Sequence, residues 1–381
     1  MASSMLQAPF PWFGGKRDVA EEVWAALGNV SHYCEPFFGS GAVLLARPHE
    51  PKVETVNDFD GLLSNFWRSI KLSPKVVAEH ADWPTNEADL HARHLWLLGQ
   101  RDPLTERLMG DPEWHDPKVA GWWVWGACNW IGGGWCAGEG PWRSIDGKLV
   151  NIRELAKAGE LEEVVQDADG VERRVPRLSG GQGVNKILPH LSPGRGINRK
   201  LPILSGQPGI NRQIPALSSA MGINRLDNND VAARRAYIEA WFIKLSERLR
   251  DTRVACGDWS RVTGPSVLGA GGGTCGVFLD PPYSMDGRSE VYACETGVAK
   301  DCLDWCLEHG EDPDLRIVLA GYAGEHDRLE EAGWKVKAWK ARGGYGNQGE
   351  GRGRENAHRE RLWLSPRCIG AQRDLFSFGV G

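Results

Sequence analysis

The chain reads as an α/β protein built on a mostly parallel sheet, with a long insertion that carries a tandem repeat. Three observations lead there. Short apolar and β-branched runs alternate with segments of helical period in both terminal parts, the pattern of a parallel sheet covered on both faces. A glycine turn, Gly39-Ser40-Gly41, stands between an apolar stretch and Ala42-Val43-Leu44-Leu45, which is the order strand, tight turn, helix. Finally, Pro-x-Leu-Ser-x-x-x-Gly-(Ile/Val)-Asn-(Arg/Lys) occurs four times, opening at Pro176, Pro189, Pro202 and Pro215 with a constant spacing of 13. The expected organisation is a first half of the sheet domain over 1–75, an inserted region over 76–230 with the repeats at 176–226, and a second half over 231–381.

The elements follow in order. Pro9-Phe10-Pro11-Trp12-Phe13-Gly14-Gly15-Lys16 precedes an amphipathic stretch from Asp18 to Leu27. In Glu35-Pro36-Phe37-Phe38-Gly39-Ser40-Gly41, the exposed N–H groups and positive helix end suit an anionic or polar cofactor edge. A second strand, Val53-Glu54-Thr55-Val56-Asn57-Asp58, then closes in an acid, where a Rossmann-like fold sets a carboxylate on ribose hydroxyls; the spacing fits an adenosine-containing cofactor. The alternative is that Asn57-Asp58 caps a helix starting near Gly61. Trp114, Trp122, Trp123, Trp125, Trp130, Trp135 and Trp142 crowd the next region, and packing is favoured over base stacking for them, with Trp122 to Trp130 on a buried helix or strand. The Gly132–Gly140 loop is the better candidate for lining a cleft. After the repeats come a helix over Asp230–Leu249, strands at Thr252–Cys256 and Val277–Leu279, a helix around Ala299–Glu308 and a strand at Leu315–Ala320. A helix near Glu325–Ala332 and strands at Trp334–Trp339 and Glu360–Ser365 complete the sheet, the last two joined by a glycine loop, Gly343–Gly353, read either as a flap or as a plain hairpin tip.

Charge and composition narrow the function. The net charge of −5 over 381 residues is no nucleic-acid signature, but between Val171 and Arg225 nine basic residues face one acid, Glu172. The repeat is too short and too rich in Pro and Gly for a helical solenoid, so it reads as successive turns, each burying one Leu and one Ile or Val. Asn and Arg present planar forks that match adenine and guanine edges, and Arg or Lys also grip phosphates. Lys186, Asn198, Arg199, Asn211, Arg212, Asn224 and Arg225 are therefore candidate DNA contacts, against the alternative that each Asn caps its own turn and each Arg is solvated. Nine cysteines form no CxxC pair, and no apolar span of membrane length or basic leader occurs, so thiols in a reducing cytoplasm are expected, with neither secretion nor membrane insertion.

The remaining motif carries the chemistry. Asp280-Pro281-Pro282-Tyr283 closes the apolar run Gly276-Val277-Phe278-Leu279. An amino nitrogen on adenine or cytosine is a poor nucleophile because its lone pair is delocalised into the ring, so an enzyme must supply acceptors for its hydrogens. The Asp280 carboxylate and the Pro281 carbonyl can do so, Pro281 and Pro282 hold the backbone, and Tyr283 can stack on the base. A strand ending in a Pro-Pro turn with an Asp cap is the bland alternative. With Pro9–Lys16, the glycine turn and Asp-Pro-Pro-Tyr in this order, the chain resembles the Dam-type DNA adenine methyltransferases, over roughly residues 8–70 and 235–365. A block ending Gly257-Asp258-Trp259 resembles the family's strand before its catalytic half. The resemblance implies a Rossmann-like methyltransferase fold, S-adenosylmethionine contacted by Trp12, Gly15, Lys16, Glu35, Phe37, Gly39, Gly41, Asp58 and Asp258, and a flipped base taken by Asp280 to Tyr283. It also implies double-stranded DNA as partner, the inserted region as the target-recognition element, no metal, and a cytoplasmic bacterial or phage-encoded enzyme. Asp-Pro-Pro-Tyr alone also serves cytosine-N4, and RNA adenine methylation or an inactive DNA-binding scaffold remain open at this stage.

Overall fold

The computed structural model describes residues 6–12, 15–111, 113–130, 135–136, 142–145, 148–151, 161–166, 172–176, 223, 231–282, 295–339 and 358–371. Its framework is a seven-stranded sheet. Five strands run parallel: β1 (His32–Glu35), β2 (Val53–Asp58), β7 (Thr252–Cys256), β8 (Cys275–Leu279) and β9 (Leu315–Tyr322). A C-terminal pair, β10 (Lys335–Ala338) and β11 (Glu360–Leu364), completes the order β10-β11-β9-β8-β1-β2-β7. β11 lies antiparallel to both β9 and β10, a departure from the parallel reading that the hairpin connection requires. Two short antiparallel pairs stand apart from this sheet: β3 (Trp142–Ile145) with β4 (Lys148–Asn151), and β5 (Leu161–Gln166) with β6 (Glu172–Pro176). The mixed α/β architecture with a mostly parallel sheet agrees with a methyltransferase fold.

Successive side chains on these strands divide between two apolar clusters. Tyr33, Phe278, Val318, Ala320, Leu362 and Leu364 belong to one; Cys34, Val277, Leu279, Ile317, Leu319 and Trp363 belong to the other. A strand alternates faces with period two, so this division means that both faces of the sheet are buried. That is why the strands are apolar runs and not alternating ones.

The helices on the N-terminal side are α1 (Ala20–Leu27), α2 (Ala42–Leu45), α3 (Gly61–Leu72), α4 (Pro74–Ala81), α5 (Glu87–Gly110) and α6 (Pro117–Asn129). Local chemistry sets their starts: Asp60 accepts from Leu62 N–H, Asn86 from Ala88 N–H and Asp116 from Lys118 and Val119 N–H, the last with Pro117 at the first helical position. α5 runs through Pro103, which is why a helix of this length was not read from the sequence. α4 and α3 both pack on α6 and on α7 (Val231–Leu249), so this layer is continuous with the helices that follow β2. α8 (Pro265–Leu268), α9 (Glu295–His309) and α10 (Asp327–Glu331) follow. Trp123 and Trp125 are buried on α6, as the packing reading expects. No helix among the described residues is long and apolar enough to cross a membrane.

One buried ionic group ties this frame together. Glu54 on β2 accepts from Arg47 Nη1 at 2.9 Å, from Arg248 Nη1 and Nη2 at 2.7 and 2.9 Å, and from Thr252 Oγ1 at 2.9 Å. Arg47 donates onward to Val30 O, and Arg248 to Leu44 O. Burial alone would raise the Glu54 pKa, but the hydrogen bonds and charge of Arg248, with those of Arg47, outweigh it and the net shift is downward. β2, β7, α7 and the end of α2 are thereby held at one point. Removing the carboxylate strands two guanidinium groups in a poorly solvated place. Glu54→Ala should therefore destabilise the protein by about 3–5 kcal/mol, measured by urea unfolding, whereas Lys75→Ala, which breaks an exposed pair with Glu239, should cost less than about 1 kcal/mol.

Candidate active site

In a parallel sheet, ligands bind beyond the carboxyl ends of the strands, at the point where the chain reverses its direction of travel across the sheet. Here that point lies between β1 and β8. From β1 the chain moves out to β2 and later β7, then returns to place β8 on the other side of β1, with His32 opposite Cys275 and Cys34 opposite Val277. The glycine turn after Glu35 and the loop that starts at Asp280 therefore leave the sheet side by side.

The glycine turn is built by close approach. Gly39 has φ +49° and Gly41 φ +63°, a region that disfavours other residues. A Cβ on Gly39 would meet Trp12 Nε1 at 2.6 Å, and one on Gly41 would meet Phe38 Cζ at 2.6 Å. Trp12, 39% exposed, thus lies directly on the turn, as an aromatic wall. Trp67 Nε1 donates to Gly39 O at 3.0 Å from below. Buried Asn57, in β2, ties the loops after β1 and β7 to its own strand: its Nδ2 donates to Pro36 O at 3.1 Å and to Gly257 O at 2.9 Å, and its backbone carbonyl accepts Phe38 N–H.

Asp58 faces the turn from the end of β2. Its Oδ2 accepts Gly39 N–H at 2.9 Å and its Oδ1 accepts Asp60 N–H at 3.0 Å. Burial pushes the carboxyl up to about 6, against these stabilising hydrogen bonds. Both readings made of it from sequence bear on the same residue, but the cap of α3 is Asp60, two residues later. A carboxylate has room for about four hydrogen bonds, so Asp58 keeps acceptor capacity beyond the turn. Next to it, Phe59 is 75% exposed. It was passed over in the sequence, although an aromatic directly after a strand-ending acid was a usable signal.

The other expected cofactor residues fall in three settings. Phe37 stacks on Trp259 with centroids 6.2 Å apart and planes at 27°, and exposed Asp258 caps the single turn Trp259–Val262. Gly15 has an ordinary φ of −52° and precedes the turn Lys16–Asp18. Glu35 is interior, 2% exposed, and accepts the Tyr33 hydroxyl at 2.9 Å; burial, with the nearby Asp280 charge, raises its pKa well above the usual carboxylate range. Its setting is that of a core group.

Asp280 leaves β8 and meets Lys16 Nζ at 2.9 Å. Lys16 is 5% exposed, with its Nζ also 5.9 Å from the Trp339 ring centroid. The pair links the N-terminal motif to the Asp-Pro-Pro segment, a partnership that residue spacing does not reveal. Pro281 is buried and Pro282 exposed; Tyr283 lies outside the described residues. So do Lys186, Asn198, Arg199, Asn211, Arg212, Asn224 and Arg225, most of Gly132–Gly140, and Gly343–Gly353. Gly39→Ala should strain the turn and displace Trp12, lowering stability by about 1–2 kcal/mol from the backbone alone. A thermal melt followed by tryptophan emission checks both effects.

Residues 12–90 match the family described as D12 class N6 adenine-specific DNA methyltransferase. No curated protein matches the chain. The matched span holds Trp12, Lys16, the glycine turn and Asp58, the residues that carry the N-terminal part of the geometry above. The family is one of enzymes, and the Dam-type resemblance read from the sequence agrees with this match: over residues 12–90 the chain is similar to the D12 class N6 adenine-specific DNA methyltransferases.

Proposed function

We propose that the protein is an S-adenosylmethionine-dependent DNA methyltransferase acting on adenine-N6 of a base rotated out of the duplex. The observation that carries this reading is the pairing of β1 with β8, which sets the glycine turn with Asp58 beside Asp280. The residues present fit the cofactor. Asp58 retains acceptor capacity for ribose hydroxyls, the Gly39 backbone and Trp12 form a close-fitting edge, and exposed Phe59 offers a face for an adenine ring. Asp258 offers a second exposed acceptor nearby in the fold. When bound, S-adenosylmethionine supplies an activated methyl group on a cationic sulfonium.

The chain's own part is positioning. Lys16 meets Asp280 Oδ1, and the Asp280 carboxylate is assigned to accept one amino hydrogen of the target base while the Pro281 carbonyl accepts the other. Tyr283 is assigned to stacking on that base. Two such acceptors turn the amino lone pair out of conjugation and toward the methyl donor. The basic stretch is assigned to the duplex, with Lys186, Arg199, Arg212 and Arg225 on phosphates and Asn198, Asn211 and Asn224 on base edges. Together these assignments make double-stranded DNA the partner.

Asp280→Ala should lower single-turnover methylation of duplex DNA by roughly a hundredfold or more, with cofactor affinity by calorimetry nearly unchanged, since the cofactor groups sit on the β1 and β2 side. Equal turnover would remove Asp280 from the active site. Asp58 generates a pH prediction. Its carboxyl titrates near 6, and hydroxyl donors bind the ionised form, so affinity for S-adenosylmethionine should be full above about pH 7 and fall as pH drops through about 6. Asp58→Asn should flatten that profile and weaken binding at pH 8 by about 1–3 kcal/mol; an unchanged dissociation constant and profile would return Asp58 to a purely structural role.

A further inference from the structure

Two cations that the catalytic reading does not use lie among the tryptophans of α5 and α6. Arg93 is only 7% exposed, and its guanidinium carbon stands 4.3 Å from the Trp125 ring centre, 4.8 Å from that of Trp122 and 4.9 Å from that of Trp83. Its Nη1 is buried without a hydrogen-bond partner, and among the described residues no carboxylate forms an ion pair with it. Asp89, one turn earlier on α5, is engaged elsewhere: its Oδ2 accepts Trp83 Nε1 at 2.8 Å. Exposed Lys118 covers the same Trp122 ring at 4.6 Å and the Trp96 ring at 5.3 Å, and it too has no ion pair with a described carboxylate. Trp96 is 36% exposed and meets Trp122 edge to face at 5.1 Å. One indole, Trp122, therefore carries a cation from each helix.

Indole faces offset part of the desolvation of a guanidinium, but a buried charge without an anion remains costly, and a second cation on the same ring adds repulsion. An anion relieves both. The planar guanidinium fork and the ammonium are the two groups that proteins use to hold phosphate oxygens. The position agrees. α5 continues to Arg101, whose Nη2 is 3.9 Å from Asp60, two residues past Asp58. Arg93 precedes Arg101 by eight residues on that helix, on the order of 12 Å along its axis, a length that a few base pairs span at about 3.4 Å each. We propose that Arg93 and Lys118, braced by Trp96 and Trp122, hold one backbone phosphate of the duplex, a contact separate from the basic repeat stretch. The proposal rests on the reading of duplex DNA as the substrate.

The test measures binding of the full-length protein to a fluorescein-labelled duplex of mixed sequence across a range of KCl, beside a thermal melt. Lys118→Met keeps an apolar stem on the two indoles and removes the charge. It should weaken binding several-fold at low salt and leave the melting temperature within about 2 °C of the parent, while Lys118→Arg should bind as the parent does. Arg93→Met combined with Lys118→Met should flatten the slope of log K against log salt by about 0.9, the loss of one phosphate contact. Parent affinity and slope in both Lys118→Met and the double variant would overturn the proposal. If the double variant does not fold, Lys118→Met decides alone. Titration with inorganic phosphate is the second arm: uptake by the parent and not by Lys118→Met, with duplex binding equal in both, would give the pair to a free phosphate and overturn the duplex contact. A parent that binds no duplex at all removes the substrate reading itself, and the proposal with it.

Discussion

The pairing of β1 with β8 is the constraint on which the rest depends. It joins residues 32–34 to residues 275–277 across a sheet whose other strands come from between and beyond them. Because parallel strands present their carboxyl ends on one edge, the loops that follow β1, β2, β7 and β8 must emerge together. Asn57, near the end of β2, then fixes two of them, the loop after β1 through Pro36 O and Phe38 N–H and the loop after β7 through Gly257 O. A side chain that spans the ends of adjacent strands removes the freedom that loops ordinarily keep, so the glycine turn and Asp58 are held by the sheet and not by each other alone.

Four carboxyl groups on or near this frame show how environment assigns a role. Glu54 is surrounded by Arg47, Arg248 and Thr252, and its pKa is drawn down: every lone pair has a partner, and the group is structural. Glu35 is buried with the Tyr33 hydroxyl and raised, a setting that favours the neutral form. Asp58 sits between these limits, raised to about 6 by burial but supported by backbone donors. Asp280 forms an ion pair with Lys16. Identical chemistry at the level of residue type thus meets different surroundings, set by burial and by the donors that the fold brings to each carboxyl.

Lys16 illustrates the same division for cations. The resemblance assigns it to the cofactor, while its geometry puts it on Asp280, with the Trp339 ring nearby. Both can hold for one side chain at the junction of the two halves. Because it is nearly excluded from solvent, its interaction with Asp280 is stronger than an exposed pair of the same length would be.

Much of this was legible in the residues. Apolar runs gave the strands within a few residues, the strand–glycine–helix order located the turn that the positive φ of Gly39 and Gly41 requires, and Asp-Pro-Pro-Tyr marked the loop after β8. Each is a local property, carried by periodicity or by one residue's backbone preference. What the sequence left undecided depends on strand order: that β11 enters antiparallel between β9 and β10, that Asp60 and not Asp58 caps α3, that Phe59 is exposed, that Glu54 meets two arginines from distant segments, and that Ile223 is buried against Pro9. α5 was missed because Pro103 reads as a helix breaker until packing fixes its surroundings. Partners far apart in the chain, such as Glu54 with Arg248 or Pro9 with Ile223, leave no mark on local pattern; they are chosen when the sheet closes around β1, because burial then makes an unpaired charge or polar group costly wherever a partner is lacking.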